Sequence, residues 1–109
     1  MGRIAILIEL EPHPEHRDEL VRRLEADARE TLTDDGCLRM ELLQVSDGSG
    51  RLVLSELWRD RAAIDAHRAK PGHSHAWQNR LVRSKRTLVC ETAETRDEAR
   101  VDPASGQST

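Results

Sequence analysis

The residues best suited to chemistry fall within one stretch, Ser55 to Trp77, S-E-L-W-R-D-R-A-A-I-D-A-H-R-A-K-P-G-H-S-H-A-W. It holds both tryptophans and three of the five histidines of a sequence with no Phe and no Tyr. His67 offers an imidazole, the side chain whose unperturbed form changes charge near neutral pH and so suits taking or giving a proton there. Trp58 and Trp77 offer flat apolar faces with an N–H donor at one edge, a combination that stacks on a ring and holds one of its oxygens. Glu56, in the middle of an apolar strand, needs a partner: pairing with an Arg is the first reading and a general base the second. His67, His73 and His75 raise the question of a metal. An H-x-H pair five residues after a lone His, with no Cys or carboxylate at ligand spacing, is a poor zinc signature, and no metal is expected.

Each candidate also has a packing role open to it. His67 can be a core histidine satisfied by a backbone carbonyl, and Trp58 a core residue like most large aromatics. His73, His75 and Trp77 follow a Pro71-Gly72 break that would let their segment move as a lid. Arg80, Arg83, Lys85 and Arg86 form a basic run that reads as a solvated face, or, beside a pocket mouth, as an attractor of anions.

The elements that position these groups follow from periodicity. Ile4, Ile6, Ile8 and Leu10 alternate along residues 3 to 11, a strand with one wholly apolar face that ends before Pro12 and Pro14. Leu20, Val21, Leu24, Ala28 and Leu32 then recur at helical spacing opposite Arg22, Arg23, Glu25 and Asp27. Thr33-Asp34-Asp35-Gly36 is a helix stop and turn. Residues 37 to 45 form a second strand, with Leu38, Met40 and Leu42 on one face and Cys37, Arg39, Glu41, Leu43 and Val45 on the other. A hairpin loop over residues 46 to 50 leads to a third strand over 51 to 58, antiparallel to the second. Asp60 caps a helix that ends before Pro71-Gly72, with Ala63, Ile64 and His67 sharing its inner face. Ser74 caps a further short helix carrying Trp77 and Leu81 on one side, and residues 85 to 92 form a fourth strand.

This β-α-β-β-α-β order predicts an α+β, ferredoxin-like domain over residues 1–93, an antiparallel sheet with helices on one face. The polar stretch 94–109 reads as a flexible tail. Strands two and three carry apolar residues on both faces, so the face without helices should be covered by a second copy, a two-fold homodimer. Net charge −3 argues against nucleic acid or an anionic membrane as partner. No run is long enough for a signal peptide or membrane span, which points to the cytoplasm. Cys37 and Cys90, in separate apolar strands at opposite sheet edges, read as reduced core thiols.

Residues 56 to 67, E-L-W-R-D-R-A-A-I-D-A-H, followed by P-G-H-S-H-A-W, resemble the E-x-W-x-D-x-x-A-x-x-x-H segment of the antibiotic biosynthesis monooxygenase family. Upstream, D-G-C-L-R-M-E-L-L is similar to that family's G-C-x-x-aromatic strand opening, with Met40 at the aromatic. The resemblance implies a dimeric α/β barrel and an enzyme: a cofactor-independent monooxygenase turning an aromatic polyketide-like phenol, anthrone or hydroquinone into a quinone with dioxygen. His67 would be the base and Trp77 the stacking and N–H-donating residue, with Trp58, His73, His75 and Glu56 lining the substrate pocket. Haem degradation is not implied, since the first strand has Ile4-Ala5-Ile6-Leu7-Ile8 where haem-degrading members use an Asn. The tyrosines that line the pocket in some quinone-forming members are absent too. A non-oxidative isomerase or cyclase in the same pocket, and a non-catalytic small-molecule-binding dimer, stand as alternatives.

Overall fold

The computed structural model describes residues 2–93; the tail expected over residues 94–109 lies outside the described residues. The alternating isoleucines form β1 (Ile4–Pro12), and Pro14 opens a single 3-10 turn that runs into α1 (Arg17–Thr31). Leu20, Leu24, Ala28 and Thr31 are the buried stripe of α1. Leu32, expected on that stripe, is 47% exposed, because the helix ends one residue earlier and Thr31 turns inward instead. Next come β2 (Cys37–Gln44), β3 (Leu52–Trp58), α2 (Arg61–Arg68), α3 (Ala76–Leu81) and β4 (Val82–Glu91). The Asp60 carboxylate accepts the Ala63 N–H at 2.9 Å and caps α2 as expected. β4 starts at Val82 rather than Lys85, because an irregularity at Glu11/Pro12 lets Val82 pair with the end of β1.

The sheet is antiparallel in the order β2-β3-β1-β4, which places the two cysteine-bearing strands at its edges. The helices cover one face, and the apolar core between them and the sheet is small. One part centres on Trp58 with Ile4, Ile6, Met40, Leu54 and Ile64, the other on Leu10, Leu20, Leu24, Leu52 and Leu81. This is the ferredoxin-like α+β arrangement predicted from element order.

One strand face differs from the alternation read in the sequence. Cys37 pairs with Trp58 and Arg39 with Leu57, so Leu38 is the extra residue of a bulge. The bulge reverses the parity of everything before it: Cys37 joins Met40 and Leu42 against the core, and Leu38 is expelled to 49% exposure.

Gly36, just before the bulge, has φ +89°, and a Cβ there would lie 2.4 Å from the Ala63 Cβ. Its carbonyl accepts the Arg59 N–H at 2.8 Å, tying the α1–β2 turn to the end of β3. Only glycine fits, on both backbone and steric grounds. Gly36→Ala should therefore destabilise the domain by about 2–5 kcal/mol, read as a lower urea midpoint with unchanged slope.

Candidate functional site

The side chains singled out in the sequence converge on a cavity of about 190 Å³ between the sheet and the two short helices. Its apolar wall is made by Ile6, Ile8, Met40, Leu54, Trp58 and Ile64, and its polar side by Glu56, His67, Arg68, His73, His75 and Lys85. β3 sends Leu54, Glu56 and Trp58 to the same face because they are two residues apart. α2 contributes Ile64 and His67, three residues apart on one side of the helix.

His67 is held by a residue that the sequence reading took only as part of a turn. Asp34 Oδ2 lies 2.5 Å from His67 Nδ1, and Lys70 Nζ donates to Asp34 Oδ1 at 2.6 Å. The Asp34 side chain is 10% exposed. Burial pushes its pKa up, but the hydrogen bonds from Lys70 and His67 outweigh this and hold the carboxyl below its ordinary value. An ionised carboxylate can only accept, so neutral His67 carries its proton on Nδ1 and keeps Nε2 as an acceptor. His67 lines the cavity, and Asp34 lies behind it. An imidazole oriented in this way has the geometry to accept a proton at Nε2.

Trp58 has 0% exposure, so the packing role read for it holds, and its ring also forms cavity wall. The ring centre lies 5.1 Å from that of His67. Its Nε1–H donates to Glu56 Oε1 at 2.9 Å. This corrects the expected pairing of Glu56 with an Arg: the indole two residues along the strand is nearer than any guanidinium. Burial raises the Glu56 pKa, while the Trp58 hydrogen bond and the charges of His67 and Arg68 pull against the rise.

His73 and His75 follow in sequence. The His67 and His73 rings meet edge to face with centres 4.6 Å apart, and His73 and His75 repeat that geometry at 4.6 Å. Among the described residues, no group of three or more His, Cys, Asp or Glu is placed to hold a metal ion. His75 has both ring nitrogens engaged: its Nε2 is 3.1 Å from His73 Nε2, and Gln78 Nε2 is 2.9 Å from its Nδ1. Gln78 is 2% exposed, and its Oε1 accepts from Lys85 Nζ at 2.8 Å. Burial, then the Lys85 and His73 charges, lower the His75 pKa.

Trp77 is the candidate that the fold places elsewhere. It shares a face of α3 with Leu81, as its spacing predicted, but that face meets α1 rather than the cavity. The indole packs against the Leu10, Leu20 and Leu24 cluster, with the Arg23 guanidinium 4.3 Å above its ring. The half-buried indole is thus partly covered within the chain.

Asp34 and Gln78 are the site residues that sequence reasoning missed. Asp34 bonds His67 across 33 positions, which no local pattern announces, whereas Gln78 bonds His75 three residues before it at the start of α3, a spacing that could have signalled the contact. Glu56 is the group most exposed to test by pH. Between its ordinary value of 4.5 and its raised folded value, the folded protein keeps a proton that the unfolded chain has released, so stability falls as pH rises through that window. Glu56→Gln keeps an oxygen for the Trp58 N–H and removes the buried charge. The variant should melt higher than the parent at pH 7, and the gain should vanish below pH 4.5, as followed by thermal unfolding across pH.

Comparison with known proteins agrees with this fold. A 68-residue segment, 62% of this chain and 66% of the relative, is 38% identical to Rv0793 of Mycobacterium tuberculosis, which bears a provisional monooxygenase name; the match thus spans just under two thirds of that protein. The solved structure of Rv0793 superposes with a TM-score of 0.74 at 29% identity, over 86% of this chain and 98% of that one. A Deinococcus radiodurans protein provisionally named an antibiotic biosynthesis monooxygenase gives 0.76 at 25% identity, over 86% and 96%. With residues 3–80 matching the family model described as antibiotic biosynthesis monooxygenase, this chain belongs to that family.

Proposed function

We propose that this protein is a cofactor-independent monooxygenase acting on a small, flat, electron-rich phenol, anthrone or hydroquinone. The observation that carries the reading is the Asp34–His67 pair: a histidine locked with its acceptor nitrogen free, in a cavity that has one apolar wall and one polar side. The cavity volume of about 190 Å³ is below the roughly 300–1,000 Å³ of drug-sized sites, which favours a few fused rings entering edge first. The exposed side chains among its lining, Arg68, Lys85 and Thr87, mark the mouth.

In this mechanism His67 Nε2 takes the acidic proton of the bound anthrone, in its enol or keto form. The resulting anion passes one electron to dioxygen, and the radical pair closes a carbon–oxygen bond to give a peroxide. Loss of the remaining C–H proton and cleavage of the O–O bond leave a carbonyl, with the second oxygen departing as water. The CH2 carbon supplies all four electrons, so R2CH2 + O2 gives R2CO + H2O without an external reductant. The apolar wall keeps water from the anion, and the imidazolium formed at His67 remains opposite the Asp34 carboxylate.

The exposed sheet face supports the homodimer reading. Leu43 and Leu88 lie on it at 46% and 49% exposure, with Leu7 and Leu57 between them in the strand order. A second copy packed sheet to sheet would remove this apolar surface from water. Equilibrium sedimentation should return twice the chain mass, and Leu43→Arg should lower it to one.

Oxygen uptake tests the activity. With chelator-treated, flavin-free protein and 1,8-dihydroxyanthrone, uptake should match the dihydroxyanthraquinone formed one to one. His67→Ala should slow it by about 100-fold or more. Asp34→Asn, which can turn an N–H toward His67 Nδ1 and so reverse the tautomer, should cost a comparable factor. Uptake that is the same with and without protein, or unaffected by both substitutions, rejects the reading.

A further inference from the structure

We propose that the cavity selects arenes bearing two adjacent oxygens, a hydroxyl beside a carbonyl or beside a second hydroxyl. His67 Nε2 receives the proton of one oxygen and His73 Nδ1–H donates to the other, and Gln78 and Lys85 are the positioning residues that make His73 the donor.

The direction of every hydrogen bond in the second network follows from its one unambiguous member. An ammonium can only donate, so Lys85 Nζ at 2.8 Å forces the Gln78 atom facing it to be the carbonyl oxygen Oε1. The Gln78 amide nitrogen is then the atom facing His75 Nδ1 at 2.9 Å, and it too can only donate. His75 Nδ1 must therefore be the unprotonated nitrogen, and a neutral His75 carries its proton on Nε2. That proton points along the 3.1 Å contact to His73 Nε2, which must accept it. His73 is left with its proton on Nδ1, which has no hydrogen-bond partner among the described residues. Gln78 is buried at 2% exposure with both its amide groups engaged, so it cannot turn over without leaving Lys85 and His75 facing the wrong atoms.

The first network runs by the same logic to the opposite result. Asp34 accepts from His67 Nδ1, so His67 offers an acceptor while His73 offers a donor. Both line the cavity, with ring centres 4.6 Å apart. One acceptor beside one donor complements a pair of oxygens of which one holds an acidic proton and the other has lone pairs. Adjacent oxygens on an aromatic ring stand roughly 2.7 Å apart, the separation of a short O–H···O bond, and they reach two neighbouring imidazoles together. A ring with its oxygens on opposite ends engages only one. The same His73 donor would hold negative charge developing on the carbonyl oxygen once His67 has taken the proton. The tautomers rest on geometry alone; the substrate class rests on the oxygenase reading as well.

Two-bond 1H–15N spectra report histidine tautomers directly, without turnover. In the full chain above pH 7.5, His67 and His73 should appear as Nδ1–H and His75 as Nε2–H. Gln78→Glu keeps the shape, still accepts from Lys85, and presents a carboxylate oxygen to His75 Nδ1. It should convert His75 to Nδ1–H and His73 to Nε2–H. Lys85→Met, at the edge of the sheet, releases the amide and should give mixed tautomers at both positions, which covers the case in which Gln78→Glu does not fold. A wild-type His75 protonated on Nδ1, or tautomers unmoved in both variants, overturns the positioning role. Binding is then read by tryptophan fluorescence with two redox-inert isomers, 1-acetyl-2-naphthol and 6-acetyl-2-naphthol. The first, with adjacent oxygens, should bind at least tenfold tighter to wild type, and that preference should disappear in Gln78→Glu. Equal binding of the isomers by a wild type with the stated tautomers overturns the substrate class, while oxygen uptake with 1,8-dihydroxyanthrone, whose hydroxyls lie beside its carbonyl, separately decides the oxygenase reading.

Discussion

The Trp58 side chain is the constraint on which the other parts depend. Its residue pairs with Ile4 on one side and Cys37 on the other, at the point where the sheet's central strands meet the bulged edge. Fully buried, it fills most of the space between sheet and α2 in a chain that has no Phe or Tyr to share the task. An indole brings an N–H with it, and that donor needs a partner inside the core. Glu56, two residues back on the same strand face, is the partner. The need to pack one large aromatic thus draws a carboxyl group into the domain, and the cavity forms around the pair.

A domain with 37% hydrophobic residues has little apolar material to spare, and the polar groups it buries must be satisfied. Around the cavity two short chains of hydrogen bonds do much of this, each ending in a lysine. Lys70 anchors Asp34 and through it His67; Lys85 anchors Gln78 and through it His75 and His73. A lysine is a useful terminus because it has donors only, so the polarity of each chain is decided at its outer end. Both termini are more than a third exposed, where an ammonium keeps water on its remaining protons.

The fold was legible because β periodicity and turn chemistry are local. Alternating isoleucines, Asp60 as a cap and the element order sufficed for a ferredoxin-like sheet. The bulge at Leu38 was not legible, because an extra residue is defined only against the partner strand: Cys-Leu-Arg-Met alternates equally well without it. Glu56, Trp58, His67, His73 and His75 could be picked out because their chemical types are uncommon in a chain of this composition, and they do share one cavity. Trp77 has the same credentials and lies elsewhere, since periodicity tells which residues share a helix face but not what the face meets. Asp34 and Gln78 look ordinary in sequence, a turn aspartate and a helix glutamine. The importance of Asp34 lies in a contact that only the folded chain creates, and that of Gln78 in joining a local partner, His75, to Lys85 on the next strand.

The charge left at the cavity follows from how these networks close. Asp34 is balanced by Lys70 on one oxygen, and His67 becomes its counter-ion whenever it takes a proton. Lys85 has no such balance within its own network, because its partner there is the neutral amide of Gln78. Burial lowers its pKa, yet the Glu56 carboxyl across the cavity acts to raise it, so the two groups report on each other's charge. In the oxidation proposed above, a positive rim beside an anionic ring would favour the step in which dioxygen becomes superoxide, since the new anion would form near a cation. The same rim would do nothing for a neutral, redox-inert reaction. In the proposed oxidation, Lys85 at the outer end of a donor network would serve two ends at once, setting the hydrogen-bond polarity of His73 and placing positive charge near the bound oxygen.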